Sequence, residues 1–313
     1  MNLIHHPTTW LFVDDEPRFL ESIKAFLPKE QLAIFFDDPR EALAYLKAQD
    51  EGLFSAESRG EFDLDDAKDV VTNKDRFARV SVVIADYAMP HMTGLQLFER
   101  LESDSVGKIL LSSQPDENLS VAGAFNERLI DRHVDKDFAQ ALVEVREYAD
   151  TLQVDWFRKS QERVRELVVD NFLNDTGVVE TLLQIFEDRR IVEWYFCCKP
   201  QGLYCLDRTG DTIFINIVDR HKLERNQRAA LSAKCPQEYQ GGDQNYAYYT
   251  MLFEPLGDGD EYDWDYNTVR IDSVGGGFWL GLHDNPPSDI EFSPGTHCLE
   301  SYLNSTVVNE ADL

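Results

Sequence analysis

The chain has 313 residues, 43% of them hydrophobic, and a formal net charge of −28. That length allows two domains with real cores, whereas so acidic a chain repels a phosphate backbone, and the half after Asp155 is itself acidic, which argues against a nucleic-acid-binding output. No apolar run approaches the roughly 18 residues of a membrane span, and the N-terminus lacks the charged-then-apolar form of a signal peptide, so a cytoplasmic location with no membrane span is expected.

Residues 10–13 form a short apolar strand that stops at Asp14-Asp15-Glu16. Pro17 suits the first turn of a helix over 18–27, where Phe19, Ile23, Phe26 and Leu27 share one face. Residues 33–36 read as a second strand, Asp38-Pro39 as the start of the next helix and 41–47 as its body. Strand alternating with helix implies a parallel sheet. The segment at about 50–79 breaks this rhythm: polar and charged, with Gly52 and Gly60, it reads as an insertion that is partly helical near 65–71.

The next stretch organises the chain. Val80, Val82, Val83 and Ile84 are the β-branched run of a strand buried on both faces, and the run stops at Asp86. Open α/β sheets hold their sites at the C-terminal ends of such strands. Met89-Pro90 then turns the chain, and Thr93-Gly94 opens an amphipathic helix carrying Leu95, Leu97, Phe98 and Leu101. An aspartate so placed is a nucleophile, a metal ligand or a helix cap; the cap reading fails because the helix starts about eight residues later.

Residues 108–111 form a fourth strand ending in Ser112-Ser113, 116–129 a helix and 132–134 a fifth strand, which Lys136 closes. A long helix follows. Its apolar residues Leu142, Val145, Ala149, Leu152 and Trp156 recur at spacings of three and four, as in a helix that packs on another. The pattern lapses at 159–163 and resumes to Phe172, which predicts a helical linker punctuated at Asn174-Asp175-Thr176-Gly177, with homodimerisation along it as a further reading.

The second half changes character. Short strands are predicted over 193–198, 202–207, 212–218, 245–253, 268–274 and 277–282, with a charged helix at 221–234 and an acidic loop at 257–265. An α+β domain with an antiparallel sheet follows from that order. Cys197, Cys198, Cys205, Cys235 and Cys298 read as free thiols, since the paired spacing of a zinc site is missing. His283-Asp284 lacks upstream histidines at ligand spacing and reads as loop, and the three glycines before Phe278-Trp279 read as a turn leading into a strand.

At the strand ends of the first half, Asp14-Asp15, Asp86, Ser112 and Lys136 fall along one sheet edge. Three carboxylates in one cleft need a cation, and hard oxygen ligands that leave room for water and phosphate suit Mg²⁺. A lysine opposite and a neighbouring hydroxyl can hold the oxygens of a phosphoryl group that the Asp86 carboxylate accepts by in-line attack.

This combination resembles the CheY-like receiver domain of two-component response regulators, over about residues 10–152. The resemblance implies a flavodoxin-like, doubly wound five-stranded parallel sheet in which Asp14, Asp15 and Asp86 hold Mg²⁺. It also implies that a histidine kinase or phosphotransfer protein phosphorylates Asp86, Lys136 pairs with the phosphoryl group and Ser112 swings toward it. Two departures bear on function. Asp137 follows the lysine where the family usually has proline, often through a cis bond that would cost about 3 kcal/mol here. His133 replaces the aromatic switch residue of the last strand, so the readout of Ser112 motion is expected to be weaker or pH-sensitive.

The expected organisation is a receiver over 1–140, a helical linker over 141–176 and an α+β output domain over 177–313. No helix-turn-helix, cyclase, phosphodiesterase or P-loop signature marks the output, so it is expected to be a protein-binding module rather than an enzyme. The alternative is an enzymatic or ligand-sensing output: residues 202–231 look like the closing hairpin and exit helix of PAS sensor domains.

Overall fold

The computed structural model describes residues 1–49, 64–101, 105–113, 121–137, 139–161, 172–198, 201–219, 247–250, 268–273, 277–284 and 297–310. The predicted helix at 221–234, the acidic loop at 257–265, Cys235 and most of the predicted linker beyond Gln161 lie outside the described residues.

The first half is built on a five-stranded parallel sheet in the order β3-β2-β4-β5-β6, the doubly wound arrangement expected. Its strands are β2 (Thr9–Val13), β3 (Ala33–Phe36), β4 (Val80–Asp86), β5 (Gly107–Ser112) and β6 (Arg132–Asp135), preceded in the chain by β1 (Ile4–His5). Every residue of β4 is buried, which is why its sequence is apolar up to Asp86 except at Ser81, whose hydroxyl accepts from Thr8 Oγ1 at 2.8 Å. Helices α1 (Pro17–Phe26) and α2 (Pro39–Ala48) each begin with proline, where the missing N–H leaves no helical bond unmade. The Asp38 side chain caps α2 by accepting from Arg40 N at 2.8 Å.

Between α2 and β4 lies α3 (Leu64–Thr72), and after β4 comes α4 (Gly94–Glu99), opened by a capping box in which Thr93 and Gln96 satisfy each other's backbone N–H. Helix α5 is Val121–Asn126 and α6 is Ala141–Ser160. The apolar stripe of α6 does not wait for a second helix. Val145, Ala149 and Leu152 pack into the core beneath β4 and β5, together with Trp10, Ile23, Ile84 and Ile109. The helix expected as a linker seam is thus the covering helix of the parallel sheet. Gly107 makes this possible, because a Cβ there would sit 2.7 Å from the Leu152 Cβ.

The second half carries an antiparallel sheet, in the order β1-β7-β8-β9-β12-β11-β10. Its strands are β7 (Ile191–Cys198), β8 (Gln201–Asp207), β9 (Thr212–Asp219), β10 (Ala247–Thr250), β11 (Thr268–Ser273) and β12 (Phe278–Asp284). Helix α7 (Thr176–Arg189) covers it through Val178, Leu182 and Phe186, one face at a spacing of four, each side chain contributing roughly 2 kcal/mol by burial. Asp175 caps this helix, accepting from Val178 N at 3.1 Å, and Arg190 ends it in the left-handed conformation at φ 54°. The last helix, α8, is Leu299–Glu310.

Three placements differ from the sequence reading. The segment read as an insertion supplies α3, and Ala67, Val70 and Val71 of α3 belong to the core of the second sheet. Ile4 and His5 likewise pair with Tyr195 and Trp194 of β7, so the two cores do not divide at residue 140. His283 and Asp284 are not loop but the end of β12, opposite Phe214 and Ile213.

The two halves meet at buried contacts. Gln161 accepts from Leu3 N and Ile4 N at 2.8 and 3.0 Å and donates back to the Ile4 carbonyl, which explains the polar break in the α6 stripe. Leu299 of α8 packs with Leu32 and Phe77 at the N-terminal end of the parallel sheet. Among the described residues, no helix is long and apolar enough to cross a membrane.

Candidate functional site

The strand ends of the parallel sheet come together as expected from their order. Lys136, just past β6, places its Nζ 2.7 Å from Asp14 Oδ2 and 3.0 Å from Asp86 Oδ1. Beneath the ammonium lies the ring of Phe19 from α1, 4.4 Å to its centroid, a cation–π contact with no local signal in the chain. Asp14 and Asp86 are 1% and 5% exposed. Their remaining oxygens are held by backbone: Glu16 N donates to Asp14 Oδ1 at 2.9 Å, and Ala88 N to Asp86 Oδ2 at 2.8 Å. Asp15 is exposed, at the rim.

Beside this cluster opens a cavity of about 320 Å³, lined among others by Asp15, Asp86, Ser112 and Lys136. Ser112 ends β5, and its backbone carbonyl accepts from Lys136 N at 2.9 Å. Its hydroxyl lies 2.9 Å from His133 Nε2 on the neighbouring strand. Burial lowers the His133 pKa against the opposing influence of Asp135, so the ring is neutral near pH 7.

The electrostatics follow from burial and pairing. Burial pushes the Asp14 carboxyl up from its ordinary value, against the pull of Lys136 and Glu16 N. Burial works to lower the Lys136 pKa, but hydrogen bonds to Asp14 and Asp86 outweigh it and hold the ammonium above its ordinary value. The lysine is therefore a fixed positive charge at physiological pH.

Helix α4 must approach this cluster closely. A Cβ on Gly94 would lie 2.4 Å from the backbone oxygen of Asp86, so only glycine lets the helix start against the end of β4. Tyr87 N donates to Leu111 O at 2.8 Å and Gly94 N to Tyr87 O at 3.1 Å, which fixes the backbone on either side.

Among the described residues, no group of three or more His, Cys, Asp and Glu side chains is placed to hold a metal ion. The donor chemistry nevertheless fits Mg²⁺, which takes one or two carboxylates, keeps several waters and accepts phosphate oxygens. Asp14 and Asp86 already converge on one cation, the Lys136 ammonium, at the mouth of an open cavity. In the second half, Cys197, Cys198, Cys205 and Cys298 form no disulfide among the described residues.

A scan of protein-family models finds no match, and a search of curated proteins finds none either. Among solved structures, the response regulator LqsR of Legionella pneumophila superposes with a TM-score of 0.72 at 23% identity, over 97% of this chain and 95% of that one. The receiver domain of the Francisella response regulator 1452 matches at 17% identity and a TM-score of 0.33, over 47% of this chain and 97% of its own. A CheY-like receiver domain protein from Methanospirillum hungatei matches at 17% identity and a TM-score of 0.33, over 48% of this chain and 98% of its own. The LqsR likeness spans both sheets, and what it establishes is a shared fold.

Proposed function

We propose that this protein is a response regulator whose N-terminal half receives a phosphoryl group on Asp86. The observation that carries the reading is the bridge from Lys136 to both Asp14 and Asp86 at the edge of an open cavity, with the Ser112 hydroxyl on its wall. An arrangement of two carboxylates, one fixed ammonium and one hydroxyl suits phosphoryl transfer to a carboxylate. The receiver fold and the likeness to LqsR support the same reading.

In the proposed reaction an Asp86 oxygen forms a bond to phosphorus while the bond from phosphorus to the donor's nitrogen or oxygen breaks, and the donor leaves with the electron pair. The donor is a phosphohistidine of a kinase or phosphotransfer protein, or a small acyl phosphate. Lys136 and Ser112 bind the oxygens of the transferred group, and Ala88 N keeps the acceptor oriented. Asp14 and Asp86, with Asp15 at the rim, would hold Mg²⁺, which neutralises charge on the transferring group. The second half, acidic and without a catalytic constellation among its described residues, is then a protein-binding output, and the chain acts in the cytoplasm.

Incubation with a small acyl phosphate and Mg²⁺, read by intact-mass spectrometry, tests this. One added phosphoryl group, absent from Asp86→Asn, is the expected result. Equal labelling of both proteins, or of neither, overturns it.

A further inference from the structure

The ammonium of Lys136 is held by two carboxylates and one aromatic ring. Its Nζ lies 2.7 Å from Asp14 Oδ2, 3.0 Å from Asp86 Oδ1 and 4.4 Å from the centroid of Phe19. Resting on the reading of Asp86 as the acceptor, we infer that Phe19 is a positioning residue for phosphoryl transfer: the face of its ring keeps the Lys136 ammonium at the cavity while the ammonium exchanges a carboxylate partner for a phosphoryl oxygen.

One turn of the chain places both Asp14 and Phe19. Glu16 N donates to Asp14 Oδ1 at 2.9 Å, and the Glu16 carbonyl accepts from Phe19 N at 3.0 Å, so the turn that orients the carboxylate also starts α1. Phe19 is half-buried and packs against the core that Leu20 and Ile23 enter, which fixes its ring. An ammonium has three protons to donate, and at 8% side-chain exposure Lys136 has little water to receive them. An aromatic face attracts the charge through its quadrupole but has no lone pair that would claim a directed bond. A proton therefore stays available for an incoming oxygen. The carboxylates behave differently. When an Asp86 oxygen bonds to phosphorus, as the donor's bond breaks and the donor leaves with the electron pair, the carboxylate gives up its negative charge and its hold on Lys136 weakens. The attraction of the ring does not change with that step. It keeps the ammonium preorganised when the transferring group needs it, at no cost in reorganisation.

Initial rates of phosphorylation of the full chain by a small acyl phosphate with Mg²⁺, read by intact-mass spectrometry, test this with phenylalanines of rising fluorine content placed at position 19 alone. Fluorine withdraws density from the ring face and leaves the shape nearly unchanged, so the rate is expected to fall stepwise, to about fivefold slower with the trifluoro ring. In a Lys136→Met background the same series is flat, because the ring acts only through the ammonium. Phe35 is the control: its ring carries Lys24 at 4.8 Å and packs against the same core, and its fluorination leaves the rate near native. A rate independent of fluorine at position 19, a decline that persists without Lys136, or an equal decline from Phe35 overturns the inference. A second readout needs no phosphoryl donor. In the native chain the ring shifts the Lys136 Cε protons upfield in the NMR spectrum, and Phe19→Leu returns them to their ordinary position; an unmoved shift overturns the inference. Failure of the native chain to be labelled at all overturns the receiver reading, and this inference with it, whereas a labelled native chain with a flat series at position 19 overturns the inference alone.

Discussion

Arg76 and Glu193 lie 117 residues apart in sequence and form a fully buried ion pair, Nε to Oε2 at 2.8 Å and Nη2 to Oε1 at 3.0 Å. Arg76 sits just before β4, the strand that ends in Asp86, and Glu193 lies on β7 of the second sheet. The guanidinium also donates to the carbonyls of Val71 and His297 at 2.6 Å each, and stacks over Phe77 at 3.9 Å. Tyr195 completes the carboxylate's partners, donating to Glu193 Oε2 at 2.8 Å. One side chain thus ties together α3, the residues before β4, the second sheet and the approach to α8.

Arg76→Met is expected to destabilise the whole chain by about 3–5 kcal/mol, because it leaves the Glu193 charge buried without a counter-ion. Urea denaturation measures this. Adding Glu193→Leu recovers only part, since the hydrogen bonds to the Tyr195 hydroxyl and to the Val71 and His297 carbonyls are not restored. Both sheets are expected to unfold in a single transition in the native chain, and two transitions would show that these contacts do not couple them.

Lys136→Met removes the positive charge between Asp14 and Asp86. Phosphorylation by a small acyl phosphate is expected to slow by about 10²-fold, the scale of losing one preorganised electrostatic contact. Initial rates measured by mass spectrometry check this, and a rate within threefold of native would place Lys136 outside the reaction.

Gly94→Ala puts a methyl group 2.4 Å from the Asp86 carbonyl oxygen, where backbone cannot yield cheaply. A stability loss of about 1–3 kcal/mol is expected, with slower phosphorylation because the end of β4 moves with the acceptor. Alanine at Gly202 meets the Ile215 carbonyl oxygen at the same 2.4 Å, yet lies in the second sheet. It should lower stability and leave the initial phosphorylation rate at 10 °C near native.

His6, fully buried beneath Trp156, Phe157 and Tyr195, sets an acid limit. Burial lowers its pKa to about 3 in the folded chain, from 6.5 when exposed. The unfolded chain therefore binds more protons between those values, so this contribution to stability is full above pH 6.5 and falls as pH drops toward 3. Comparing urea midpoints at pH 7.5 and 5, His6→Phe should show a smaller loss on acidification than the native chain. Equal losses in both would place the titrating group elsewhere.

Much of this protein was legible in the order of its residues. Alternating strands and helices, proline at the first turn of α1 and α2, and an apolar run halted at Asp86 are local signals, because backbone periodicity and capping act within a few residues. They were enough to line up Asp14, Asp86, Ser112 and Lys136 on one edge, since a parallel sheet brings its strand ends together whatever lies between. The length of the segment between β3 and β4 did not disturb that.

Tertiary structure decided which core each short element joined. Two residues of β1 carry no period, and α3 shows an apolar face without saying what will cover it; both went to the second sheet. The stripe of α6 was visible, but a stripe fits a sheet as well as a helix, and the parallel sheet took it. The pairing of Arg76 with Glu193 has no local signal, because nothing nearby in the chain marks two ions that each need the other in order to be buried. The bond from His133 to Ser112 likewise depended on β5 and β6 lying side by side in one register. Pairings between distant residues are settled by what must be satisfied once water is excluded, and that condition exists only in the folded chain.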